Sequence, residues 1–160
     1  MASLWDVCRT LLSLLPPVQP LLFMLIPDHI RWVLLDAVGT LIDPDPPASE
    51  VYAEAARRFG SALTADEIAG AFRAAMKRNT AGGGPTSEPH ETARWRLIVA
   101  QTLGDVPLEH SESLFERLWQ HFGRPENWHV YDDVEPALSA LAARGFELGI
   151  ASNFDRRLLG

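Results

Sequence analysis

Arg31-Trp32-Val33-Leu34-Leu35-Asp36-Ala37-Val38-Gly39-Thr40-Leu41-Ile42-Asp43 is the stretch on which the fold turns. Four successive apolar residues, Trp32 to Leu35, fit a strand buried on both faces, as in the middle of a parallel sheet. They run directly into a carboxylate, Asp36, and then into Gly39-Thr40. Open α/β sheets gather their chemistry just past the carboxyl ends of their strands. An acid there, followed by a glycine that permits a tight turn, suits a nucleophile or a metal ligand. The plainer alternative is that Asp36 only caps the turn, a position Asp favours anyway.

A second stretch late in the chain has the same form. Gly145-Phe146-Glu147-Leu148-Gly149-Ile150-Ala151-Ser152-Asn153 is a short apolar strand ending in small polar residues. Together the two stretches resemble the haloacid dehalogenase-like (HAD) hydrolase superfamily. Leu35-Asp36-Ala37-Val38-Gly39-Thr40-Leu41-Ile42 matches its first motif, and Ile150-Ala151-Ser152-Asn153 its second. The implied fold class is α/β: a partial Rossmann-like parallel sheet with an inserted all-helical cap domain. Residues 27–45 and 131–160 would form the partial core and residues 46–130 the cap.

The resemblance also implies a chemistry. Asp36 would attack the substrate and form a covalent aspartyl intermediate that water later hydrolyses. Its carboxylate and the backbone carbonyl of Val38 would hold Mg²⁺, a hard ion that takes oxygen ligands. Ser152 would hydrogen-bond a phosphoryl oxygen, Thr40 would support the loop, and Asn153 would line the site. Phosphatases of the superfamily carry a second Asp where this chain has Val38, to protonate the leaving group and activate water. Loss of that help costs about a hundredfold to ten-thousandfold in rate. Three readings follow: a phosphatase-like enzyme with altered acid–base chemistry, a 2-haloacid dehalogenase-type enzyme whose halide leaves without a proton, or a non-catalytic binding protein.

The remaining sequence fits this frame. At 160 residues and 47% hydrophobic content the chain can bury a real core. A net charge of -7 offers no basic surplus for nucleic acid or an anionic membrane; the partner that the resemblance implies is a small-molecule substrate. One cysteine, Cys8, excludes an internal disulfide and a cysteine-rich zinc site, and suits a reducing, cytoplasmic setting. Residues 1–26 form an apolar leader in which Pro16, Pro17 and Pro20 interrupt any membrane span. The family's later lysine-bearing helix and paired acids are not found before Gly160, which reads as a fragment of an enzyme.

Between the motifs, Asp43-Pro44-Asp45-Pro46-Pro47 forms a rigid exit segment. Four amphipathic helices follow: Ser49–Phe59 closed by Gly60; one opened by the capping box Thr64-Ala65-Asp66-Glu67 and running to Asn79; His90–Leu103; and Ser111–Phe122. Ala81-Gly82-Gly83-Gly84-Pro85 reads as a connector, with no Lys-Ser/Thr to make a phosphate loop. A fifth helix is expected over Glu135–Arg144. His90, His110, His121 and His129 lack metal-ligand spacing and read as surface or packing residues. Arg57-Arg58 and Arg94/Arg96 would contact an anionic substrate from the cap, or else line solvated faces.

Overall fold

The computed structural model describes residues 29–79 and 87–152. The apolar leader, the glycine connector and Asn153 lie outside the described residues. The element order is β1 (Trp32–Leu35), β2 (Ile42–Pro44), α1 (Ala48–Arg57), α2 (Ala65–Asn79), α3 (Glu88–Thr102) and α4 (Leu108–Phe122). A single 3₁₀ turn (Pro125–Asn127), β3 (Trp128–Val130), α5 (Val134–Ala143) and β4 (Glu147–Ile150) complete it. Among the described residues no helix is long and apolar enough to cross a membrane.

β1 and β4 pair in parallel, with Trp32 opposite Glu147 and Leu35 opposite Ile150. Parallel strands require a crossover, and here everything from β2 to α5 lies within it. α5 packs against β4. One expectation is corrected: β1 is not buried on both faces. Trp32 and Leu34 are 58% and 65% exposed, while Val33 and Leu35 on the opposite face are half-buried. Residues alternate faces along a strand, so cover on one side protects only every second side chain. Gly149 lies on the open face, where an added Cβ would stand 2.8 Å from Leu34 Cδ2. The bare glycine lets the leucine lie across its neighbour.

The helices α1 to α4 hold the main core. Val51, Tyr52, Ala55 and Ala56 of α1 meet Ile68 of α2, Val99 and Leu103 from the end of α3, and Leu114, Phe115 and Leu118 of α4. Tyr52 sits edge-on to Phe72 at 5.6 Å and tilted against Phe122 at 5.9 Å, and its burial pushes the phenol above its ordinary range. The capping box forms as expected: the Thr64 amide and hydroxyl both donate to Glu67 at 2.8 Å, and the Glu67 amide donates to Thr64 Oγ1 at 3.3 Å. α4 starts three residues before the expected Ser111, directly after Pro107, whose fixed φ suits a helix entry.

Two features lie beyond the sequence expectations. Asp43 and Pro44, from the segment expected as a rigid exit, join Ile42 in a strand that pairs antiparallel with Trp128–Val130, so the chain leaves for the helices and returns along one short ribbon. The Asp45 amide extends it by donating to the Asn127 carbonyl at 3.0 Å. Second, Asp105 clamps the α1–α2 connection to the α3–α4 connection. It accepts from Ser61 Oγ at 2.8 Å and from the Ala62 amide at 3.0 Å.

Candidate active site

Strand β1 ends at Leu35, and Asp36 projects, exposed, from its carboxyl end. One carboxylate oxygen accepts the Ala37 amide at 2.8 Å, so the turn-capping role is real. That contact also fixes the side chain and leaves the second oxygen for other partners. Ala37 then organises the turn: its carbonyl accepts from the amides of Thr40, Leu41 and Ile42 at 3.2, 2.8 and 3.0 Å. The Gly39 amide donates to the Ile42 carbonyl at 2.8 Å, and Gly39 has φ +80, a backbone region that penalises any Cβ. The turn folds only if residue 39 is glycine or tolerates strain.

On the neighbouring strand, the Ala151 amide donates to the Leu35 carbonyl at 2.9 Å. This bond carries the parallel ladder one step past Ile150, and the half-buried Ser152 is the next residue beyond it. Thr40 is exposed on the turn that follows Asp36. Val38 bridges to Ile42, with its hydrocarbon side chain 37% exposed. Asp36, Val38 and Thr40 thus follow the end of β1, and Ser152 follows the end of the adjacent β4.

The donor set offers a hard cation one carboxylate and backbone carbonyls. Mg²⁺ commonly keeps several waters and binds through one or two carboxylates, so these residues fit such an ion as part of its shell. Among the described residues no group of three or more His, Cys, Asp or Glu side chains is placed to hold a metal.

The histidines pack rather than converge. His110 lies against the Phe59 ring at 5.7 Å, His121 meets Phe122 edge-on at 5.1 Å, and His129 meets Tyr131 edge-on at 6.2 Å. The cap arginines are also engaged. Arg94 pairs with Glu91 at 2.7 Å, while Arg96 pairs with Glu112 at 2.9 Å and lies over the Phe115 ring at 4.6 Å. Arg58 pairs with Glu54 at 2.8 Å. The guanidiniums of Arg58, Arg94 and Arg96 thus brace the helices. The residue that sequence reasoning undervalued is His121, whose Nε2 is buried without a hydrogen-bond partner. Its spacing on α4 gave no signal, because its setting depends on α1 across a cleft.

A family model of haloacid dehalogenase-like hydrolases matches residues 30–160, and the chain belongs to that family. It is 32% identical over 138 residues to haloacid dehalogenase-like hydrolase domain-containing protein 3 of Danio rerio, covering 82% of this chain and 57% of that protein. The Homo sapiens protein of the same name is 31% identical over 138 residues, covering 82% of this chain and 55% of that one. The chain thus spans a little over half the length of these relatives. A solved structure of a dehalogenase aligns over 84% of this chain and 56% of its own, at 17% identity and a TM-score of 0.47.

Proposed function

We propose that this chain supplies the nucleophile and one phosphoryl contact of a hydrolase that acts on a small phosphorylated or otherwise activated molecule. The observation that supports it best is the exposed Asp36 carboxylate at the end of β1, with the Ala151–Leu35 hydrogen bond pairing the adjacent strand end just before Ser152. In a phosphate ester, an Asp36 oxygen would attack phosphorus, the P–O bond to the leaving alkoxide would break, and an acyl phosphate would form. Water would then attack that phosphorus, release inorganic phosphate and restore the carboxylate. Ser152 would donate to a phosphoryl oxygen, and the Ala37–Ile42 turn, with Thr40, would hold the loop in shape. Mg²⁺, held by the Asp36 carboxylate and the Val38 carbonyl, would offset phosphoryl charge.

Val38 bears on the second reading. Its partly exposed hydrocarbon stands two residues after Asp36 and cannot deliver a proton to a leaving alkoxide. A halide needs none, so carbon–halogen cleavage by Asp36 is the competing chemistry. The test is an assay of purified protein against a phosphate monoester, with and without Mg²⁺, and against a 2-haloacid. Magnesium-dependent phosphate release that disappears in Asp36→Asn is the expected result. Metal-independent halide release would shift the assignment to the second reading, and turnover unchanged by Asp36→Asn would remove the nucleophile from both.

A further inference from the structure

A concave surface lies between α1 and α4, with Asp36 absent from its lining. It encloses about 260 Å³ over a floor that includes Val51 and Leu118. Its walls differ in sign. α1 presents Glu50 and Glu54; α4 and the residues after it present Arg117, His121 and Arg124. Opposite charges at contact distance would close into ion pairs, as Glu54 does with Arg58 on its other side at 2.8 Å. Across the cleft they do not: among the described residues the Arg117 and Arg124 guanidiniums have no ion-pair or hydrogen-bond partner.

The third polar group is His121. Its Nε2 is buried with no partner, an unusual condition for an interior polar atom. Burial, reinforced by Arg124 and Arg117 and opposed by Glu54, lowers its pKa below the ordinary 6.5. The imidazole therefore stays neutral at neutral pH and adds one neutral hydrogen-bonding nitrogen to the basic wall.

We propose that this cleft binds a small zwitterion of the amino-acid class, its carboxylate toward Arg117 and Arg124 and its ammonium toward Glu50 and Glu54. The volume lies just under the range of about 300–1,000 Å³ typical of drug-sized ligands, which suits a single amino acid. A guanidinium pair recognises a carboxylate through charge-assisted hydrogen bonds, and the apolar floor accommodates an aliphatic side chain. A purely anionic ligand would set its charge against the glutamates, and a purely cationic one against the arginines. The site makes no use of Asp36 and stands or falls separately from the hydrolase reading.

The test is an NMR titration of the isotopically labelled 160-residue chain with L-leucine, N-acetyl-L-leucine and L-leucinamide. L-Leucine is expected to give saturable shifts in the His121 ring and the Arg117 and Arg124 side chains. Each analogue lacks one charge and is expected to bind at least about tenfold more weakly. The double variant Arg117→Ala/Arg124→Ala changes exposed side chains and is expected to keep its helical circular dichroism while losing the response. Asp36→Asn is expected to leave binding unchanged. The proposal is overturned if L-leucine produces no saturable shift up to about 10 mM. It is equally overturned if either analogue matches L-leucine, or if the double variant responds like the wild type.

Discussion

The helical region and the strand pair handle apolar surface in opposite ways. In the helices, Ile68, Ile98 and Leu114 are at most 1% exposed, each enclosed by side chains from neighbouring helices. In the strand pair, Trp32, Leu34 and Ile150 remain more than half exposed. The candidate nucleophile belongs to the second region, and its surroundings are fixed chiefly by backbone hydrogen bonds. The contrast teaches that the packed core and the candidate site are separated in this chain. The packed helices contribute most of the buried hydrocarbon, while a short ladder and one tight turn position the Asp36 carboxylate proposed as the nucleophile.

That separation makes graded predictions. Leu114→Ala removes a fully enclosed side chain from the helical core and is expected to cost about 2–5 kcal/mol in urea unfolding followed by circular dichroism. A loss below about 1 kcal/mol would mean that the helices do not carry the core. Gly39→Ala forces a Cβ into a φ of +80 and is expected to cost about 1–2 kcal/mol of stability and to lower the proposed hydrolysis. Equal hydrolysis in that variant would detach the turn from the chemistry.

Thr64→Ala takes the hydroxyl from the capping box and is expected to lower stability by about 1 kcal/mol in the same unfolding assay. A pH effect belongs to the same motif. The backbone and side-chain hydrogen bonds from Thr64 hold the Glu67 pKa below its ordinary 4.5. A carboxyl depressed in the folded state contributes stability that is present above the ordinary value and lost as pH falls through the folded one. Wild-type protein should therefore lose a stability increment on acidification below 4.5 that Glu67→Gln does not lose. Identical acid profiles would remove the ionised cap. Last, Leu34→Ser, on the open face of β1, is expected to change stability by no more than about 0.5 kcal/mol. A loss comparable to that of Leu114→Ala would show that this face is covered in solution.

Much of this architecture was legible in the residues. Apolar spacing located all five helices, most bounds agreeing within a residue or two, because a helix is specified by neighbours within one or two turns. The box at Thr64–Glu67 was readable for the same reason: both partners lie within one turn. Strand β1, its terminal Asp36 and the glycine of the turn were equally local features.

What the sequence alone determined, then, was a set of local elements and the residues at their ends. The tertiary structure decided the rest: that Leu35 stands opposite Ile150, that Ile42–Pro44 joins Trp128–Val130 in a ribbon, and that one face of β1 lies open. It also set His121, its Nε2 without a partner, in a cleft that faces the glutamates of α1. Each of these depends on groups far apart in the chain. Register, burial and the meeting of facing side chains arise only when separate elements pack, so no stretch of sequence specifies them by itself.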